Sequence, residues 1–152
     1  MSIIEKSIEV NVPAYVAYSQ WTRFAEFPRF MDGVKEVKQL DGKRLHWKAE
    51  IAGQATEWDA EITEQLADQR LALTNRAGAI KGWAVTFREL SNDRSTVMLQ
   101  VEYDTQGAVE PVGDAVGVVS LRVQGDLERF KGLVEKRWVR PGRHTIFDNF
   151  PM

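Results

Sequence analysis

The chain has 152 residues, of which 43% are hydrophobic and 28% charged, as is typical of one globular domain. Its formal net charge of −2 gives no electrostatic basis for binding nucleic acid or an anionic membrane surface, and no apolar run approaches the roughly 20 residues of a membrane span. The absence of cysteine excludes disulfides, thiolate nucleophiles and cysteine-ligated metals.

The N-terminal part predicts one strand followed by two short helices. Residues 4–12 alternate between apolar and polar side chains, as a half-buried strand does, with Lys6 as the one interruption. Pro13 suits the first turn of a helix, and apolar residues recur at helical spacing over residues 14–21. A second short helical or turn-rich stretch ends at Gly33. The N-terminus lacks the apolar core of a signal peptide, so we expect a cytoplasmic protein.

From Val34 to Tyr103 the hydrophobic period switches to two, which predicts six further strands. Asp41-Gly42 is a strong hairpin signal because both residues tolerate positive φ. Short turns imply an antiparallel meander in which each strand has one apolar and one polar face. The large aromatic residues on the apolar faces are Trp47, Trp58, Trp83, Phe87 and Tyr103.

One long amphipathic helix is predicted from Val109 to Val134. Residues 115–123 are rich in β-branched residues and glycine, which are poor helix formers, but the apolar stripe continues unbroken beyond them. Charged residues such as Arg129 and Lys131 are expected on the solvent-facing surface. The predicted order is β-α-α-β6-α, an α+β fold with about seven antiparallel strands facing this helix. The stripe consists of Val109, Val112, Val116, Val119, Val123, Leu127, Phe130 and Val134.

Four stretches of the sequence resemble the START-like, or SRPBCC, superfamily, and within it the bacterial polyketide cyclase/dehydrase and coenzyme-Q-binding-like branch. The resemblance covers roughly residues 1–138 and implies a helix-grip fold, a curved antiparallel sheet gripping the C-terminal helix, over residues 1–140. It also implies a hydrophobic small molecule bound between sheet and helix. The stretches are Trp21–Val37 (WTRFAEFPRFMDGVKEV), Leu45–Gly53 (LHWKAEIAG), Glu57–Glu64 (EWDAEITE) and Gly113–Lys131.

A ligand cavity is predicted beside the first half of the C-terminal helix. Small residues border the stripe there and leave space against the sheet, whereas Leu127, Phe130 and Val134 seal the second half. Alternatively, the glycines permit close packing without a cavity and the aromatic residues fill the core. The candidate ligand-binding residues are Trp47, Trp58, Trp83, Phe87, Tyr103, Phe30, Met31, Gly113, Val116 and Ser120.

Groups that could perform catalysis are scarce. His46 lies on the polar face of its strand and is expected to be a solvated surface residue. The carboxylates Glu57, Asp59 and Glu61 share one strand face and form a solubilising stripe. No spacing of histidines and carboxylates indicates a metal site, and no motif indicates a cofactor.

Three functions remain open from the sequence. A non-catalytic carrier of a hydrophobic small molecule is favoured, and a polyketide cyclase, aromatase or dehydratase is the alternative. The polar residues that could serve either pocket are Tyr103, Asn75 and Arg76. The third is a protein–protein module that uses the tail predicted at residues 141–152, in which Phe147 and Phe150 could dock. The sequence leaves the oligomeric state undetermined.

Overall fold

The computed structural model describes residues 2–51, 53–75, 80–103 and 115–139. Gly113, Val109, Val112 and the predicted tail at residues 141–152 lie outside these ranges, and the side chain of Val116 is not described. In chain order the elements are β1 (Ser2–Val10), α1 (Ala14–Trp21), a 3₁₀ helix (Phe24–Arg29), β2 (Val34–Gln39), β3 (Arg44–Ile51), β4 (Gln54–Leu66), β5 (Arg70–Asn75), β6 (Ile80–Ser91), β7 (Arg94–Tyr103) and α2 (Ala115–Arg137).

The strands of the described chain form one antiparallel sheet in the order β1-β7-β6-β5-β4-β3-β2. Strands β2 to β7 follow one another as a meander, and β1 closes the series beside β7, with Val10 opposite Ser95 and Ser2 opposite Tyr103. The antiparallel meander and the α+β class are therefore confirmed. With α2 packed against the inner face, the architecture is the helix-grip fold that the resemblance implied.

The core lies between the inner face of the sheet and the apolar stripe of α2. Val123 is 5% exposed, Leu127 and Phe130 are fully buried, and Val134 is 1% exposed. These residues confirm the predicted stripe over the second half of the helix. Because α2 makes most of its strand contacts with β1, it lies along the edge of the sheet that β1 forms.

Pro13 precedes α1 instead of lying within its first turn. It has φ −65° and ψ 159°, which is extended backbone, and Ala14 is the first helical residue. The N–H of Ala14, one of the donors that a helix N-terminus leaves unpaired, donates to Glu89 Oε1 at 2.8 Å. This bond joins the start of α1 to β6.

The hairpin predicted at Asp41-Gly42 is present between β2 and β3, but the predicted reason for it is wrong. Positive φ angles among the described residues occur at Asp68, Gly33 and Gly53, and not at this turn. The Asp41 carboxylate instead accepts hydrogen bonds from the backbone N–H groups of Lys43 (2.8 Å) and Arg44 (2.9 Å). Side-chain bonding to the backbone two and three residues ahead fixes this turn, and these bonds lower the pKa of Asp41.

None of the three described helices has the length and apolar character that a membrane span needs.

Candidate functional site

One end of the interior, where α1 and the 3₁₀ helix cover the sheet, is filled by an aromatic cluster around Trp21. The ring of Trp21 lies 4.9 Å from Phe130, 5.2 Å from Phe30 and 6.2 Å from Phe27, measured between centroids. Phe87 completes the cluster at 6.3 Å. All five side chains are at most 4% exposed, so Phe30 and Phe87 of the predicted site belong to the packed core.

The opposite end of the interior is less completely covered, and we call it the half-buried end. It consists of Trp58, Ile80, Tyr103 and Val119, each only partly buried although it packs against the core, together with Trp83, which is also half-buried but whose ring reaches the aromatic cluster, 6.1 Å from Trp21. Trp83, Tyr103 and Val119 contribute from β6, β7 and the first half of α2. Helix α2 therefore runs from the half-buried end, where Val119 lies, to the aromatic cluster, which contains Phe130.

A stacked pair of tryptophans connects the two ends. Trp47 of β3 lies directly opposite Trp58 of β4, and their rings are 5.6 Å apart with an interplanar angle of 10°. Trp47 is 3% exposed and also contacts Phe27 of the aromatic cluster at 5.3 Å. Trp58 has one face against Trp47 and remains half-buried. Flat rings of this kind are suited to stacking with a planar ligand.

A set of hydrogen bonds, here called the clasp, fastens α2 to the loop between the 3₁₀ helix and β2. Arg129 Nε donates to Phe30 O at 3.0 Å, and Arg122 Nη2 donates to Asp32 O at 2.9 Å. The Asp32 N–H donates to Asp126 Oδ1 at 3.0 Å. Burial raises the pKa of the Asp126 carboxyl. The hydrogen bonds from Asp32 and Arg129 lower this pKa, but by less than burial raises it.

The clasp holds Met31, which lies between its two bonded carbonyls, near the middle of α2, where Arg122 and Arg129 donate to those carbonyls. It also gives Arg129 a contact that its predicted place on the solvent-facing surface did not indicate. That residue is half-exposed, as expected of a surface group, but its guanidinium binds a backbone carbonyl 99 positions away in the chain. Sequence spacing carried no signal for this contact because the partner is a main-chain atom.

A second group of polar side chains lies on the outer face of the sheet. His46 of β3 is hydrogen-bonded through Nδ1 to Asp59 (2.7 Å) and through Nε2 to Glu57 (2.8 Å), both on β4. These bonds, with Asp59 the larger influence, raise the pKa of His46, and the bond to His46 lowers the pKa of Glu57. The prediction of a polar outer face holds, but these side chains pair with each other.

We expect His46→Gln to lower stability more at about pH 6 than at about pH 9. A raised folded pKa means that the stabilisation is fully present below the unfolded value of about 6.5 and is lost as pH rises through the folded pKa. The other charged side chains close to His46 and its two carboxylate partners are the cations Lys38, Arg44 and Lys48. Urea denaturation of both proteins at the two pH values measures the difference. Equal losses at both values would show that the ion pairs do not stabilise the fold.

The predicted site residues are thus divided between two environments, and two of them lie outside what the structure describes. The side chains of Phe30, Phe87 and Trp47 are packed, whereas those of Trp58, Trp83 and Tyr103 are half-buried. Met31 and Ser120 are half-buried as well. Gly113 lies outside the described residues, as does the side chain of Val116. The sequence predicts Trp21, the centre of the aromatic cluster, only as an apolar residue at helical spacing in the first helix.

Two surface depressions formed by described residues lie elsewhere. One, of about 240 Å³, is on the sheet and is lined by residues that include Arg70, Thr74 and Glu102. The other, of about 260 Å³, lies between α1 and the end of α2 and is lined by residues that include Tyr15 and Trp138. Both contain many polar groups, and the depression on the sheet also has Trp83 among its lining residues.

Comparison with known proteins gives consistent results for family and fold. The family described as "Polyketide cyclase / dehydrase and lipid transport" matches residues 10–131. An uncharacterized 17.2 kDa protein from the melC2-rnhH intergenic region of Streptomyces lincolnensis is 45% identical over 143 residues, which are 93% of this chain and 95% of that protein.

Solved structures of low sequence identity share the fold. The Zhui aromatase/cyclase of Streptomyces sp. R1128 superposes with a TM-score of 0.76 at 14% identity, covering 93% of this chain and 98% of that one. A START superfamily protein of Mycobacterium smegmatis superposes with a TM-score of 0.66 at 18% identity, covering 89% and 95%.

Proposed function

Because the chain belongs to the START-like family of polyketide cyclases, dehydrases and lipid-transport proteins, we propose that it binds a hydrophobic small molecule between its sheet and the first half of α2. The ligand is aromatic, polyketide-like, lipid or isoprenoid. The observation that carries this proposal is the contrast between the two ends of the interior. The five side chains of the aromatic cluster are almost completely buried at one end, whereas Trp58 and Tyr103 remain partly uncovered at the other.

The uncovered aromatic surface gives such a ligand its binding energy. Removing about 100 Å² of apolar surface from water contributes roughly 2.5 kcal/mol. Trp58, Trp83 and Tyr103 are large enough to supply that area together with Val119. A ring inserted here would continue the stacked series of Trp47 and Trp58.

The clasp supports the same proposal because it holds the loop with Met31 against α2. A loop fixed by three hydrogen bonds to a helix keeps its shape whether or not a ligand is present. Less conformational freedom is then lost on binding, which favours affinity.

Filling the proposed space should remove the bound ligand. We expect Val119→Trp to lose an apolar species that native mass spectrometry detects on the unmodified protein purified from its own host. Val119 is half-buried at the proposed site, so a larger side chain there occupies the ligand's volume. Leu121→Trp is the matched control, since Leu121 is 77% exposed two residues away and should leave binding unchanged.

Circular dichroism must show that both variants are folded for the comparison to count. A folded Val119→Trp variant that retains the ligand at the occupancy of the unmodified protein would refute the position of the site. Failure to find any apolar species, combined with failure of added aromatic compounds to bind, would refute the function.

A polyketide cyclase or aromatase that uses the same interior is the second candidate. The observation that favours it is the half-buried phenol of Tyr103, a group able to take part in proton transfer. At this end, no histidine or carboxylate occupies an inner-face position of the described strands. Dehydration of a ligand held by the protein, seen as loss of the mass of water, would favour the enzyme over the carrier.

A further inference from the structure

We propose that Trp58 and Asn75 form a polar subsite that selects ring compounds bearing a hydroxyl group, such as phenols and enols. The inference rests on the proposed function, and it narrows the ligand from hydrophobic molecules in general to hydroxylated rings. Two buried polar atoms without partners among the described residues carry it: Trp58 Nε1, a donor, and Asn75 Oδ1, an acceptor.

The indole N–H of Trp58 differs from the other unpaired indole groups. Nε1 of Trp21 and Nε1 of Trp47 are also buried without a partner atom. Both of those residues have steeply inclined aromatic neighbours: Trp21 meets Phe130 at 61°, and Trp47 meets Trp83 at 85°. Inclined rings can receive an N–H on their faces.

Trp58 has no such neighbour among the described residues. Its ring contact is the stacked one with Trp47, at an interplanar angle of 10°. A parallel ring cannot accept an N–H that points along the plane of the indole. The donor of Trp58 is therefore left without an acceptor, and an unpaired buried donor is costly in a folded protein.

Asn75 supplies the complementary atom. Its Nδ2 donates to Ile80 O at 3.1 Å, and this bond fixes which side of the amide carries nitrogen and which carries oxygen. The Oδ1 atom is buried and accepts no hydrogen bond from the described residues. Asn75 follows Leu71 and Leu73 in alternation on β5, so it occupies an inner-face position.

Strand pairing places the two residues close together. Asn75 lies directly opposite Ala60 on β4, and Trp58 precedes Ala60 by two residues on the same inner face. Diagonal neighbours of this kind in an antiparallel pair are about 7–8 Å apart, within reach of an aromatic side chain. The residues that carry the donor and the acceptor thus occupy neighbouring inner-face positions of β4 and β5, in the region proposed for the ligand.

A hydroxyl group can satisfy both atoms at once. Its oxygen accepts from the indole N–H while its proton is donated to the amide oxygen. One hydroxyl group therefore pairs both the donor of Trp58 and the acceptor of Asn75. An ether or ketone can accept from Trp58 but has no proton for Asn75. A hydrocarbon ring leaves both atoms unpaired.

Binding of three matched naphthalenes by isothermal titration calorimetry tests the subsite. The probes carry a hydroxyl, a methoxy or a methyl group at the same ring position. We expect the naphthol to bind about tenfold more tightly than methylnaphthalene, with methoxynaphthalene between them, because one or two buried hydrogen bonds distinguish the probes. Trp58→Phe keeps a ring but removes the donor, and it should weaken naphthol and methoxynaphthalene binding relative to methylnaphthalene.

Asn75→Leu removes the acceptor, so the preference for naphthol over methoxynaphthalene should disappear. Thr74→Val, on the opposite face of the same strand, is the control and should keep the order of the three affinities. Equal affinities for the three probes in the unmodified protein would overturn the subsite and leave the proposed function standing. The same conclusion follows if both variants are folded and retain the full preference. If none of the probes binds, the subsite is overturned, whereas the proposed function is overturned only if native mass spectrometry also finds no apolar species on the protein.

Discussion

Trp21→Ala should lower the free energy of unfolding by about 3–5 kcal/mol, the usual loss when a fully buried aromatic residue is truncated. Trp21 is completely buried and contacts the rings of the aromatic cluster from two helices and the sheet. Its removal leaves a cavity at the point where α1, the 3₁₀ helix and α2 meet. Neighbouring rings from separate elements cannot all move to refill that space.

Urea denaturation followed by circular dichroism gives this loss directly. Tyr15→Ala is the matched control, because Tyr15 lies in the same helix and is 54% exposed. We expect that control to lose no more than about 0.5 kcal/mol, as surface substitutions usually do. Similar losses for the two variants would contradict the central role assigned to Trp21.

Gly33→Ala should lower the free energy of unfolding by about 2–3 kcal/mol, from the combined effects of backbone strain and a broken contact. Gly33 has φ +84°, where an added Cβ is unfavourable. That Cβ would also lie 2.8 Å from Glu50 O and would collide with the Arg122 guanidinium. The carbonyl of Glu50 has little freedom to move because the Glu50 N–H donates to Gly33 O at 2.7 Å.

Gly53→Ala separates the two causes. Gly53 has nearly the same backbone conformation, φ +80°, but nothing lies within 4 Å of a Cβ built there. The strain of the left-handed conformation is therefore common to both variants, at about 1 kcal/mol. The additional loss at Gly33 measures the collision and the weakened clasp. Equal stabilities of the two variants would show that the clasp contributes nothing.

The same variant connects stability with the proposed site. Arg122 donates to Asp32 O in the clasp, and displacement of its guanidinium removes one of the three hydrogen bonds that hold the loop with Met31. We therefore expect Gly33→Ala, unlike Gly53→Ala, to weaken ligand binding as well as stability.

Much of the fold could be predicted from sequence because its signals are local. The period-two alternation from Val34 to Tyr103 and the helical stripe through Phe130 follow from geometry within single elements. The residue types at Asp41-Gly42 correctly predict a hairpin, but the predicted cause, positive φ at the turn, is wrong. An Asp-Gly pair predicts a turn whether the turn is fixed by hydrogen bonds to the Asp41 carboxylate or by positive φ at the glycine. The residue types therefore do not distinguish the two causes.

The candidate site could be predicted only as a set of inward-facing residues. Alternation assigned Phe87 and Trp83 to the same face, and both rings pack against Trp21, but it could not show that Phe87 is 4% exposed whereas Trp83 is half-buried. The clasp and the pairing of His46 with Asp59 and Glu57 depend on register between strands and on main-chain atoms, which residue types do not reveal.

The sequence by itself therefore determined the order of the elements and which face of each is apolar, since both depend on neighbours within a few residues. Only the tertiary structure decided which apolar residues are fully packed and which are partly uncovered. Burial depends on contacts such as that between Trp21 and Phe130, which are far apart in the chain. The unpaired atoms of Trp58 and Asn75 likewise emerge only when β4 and β5 are paired in register.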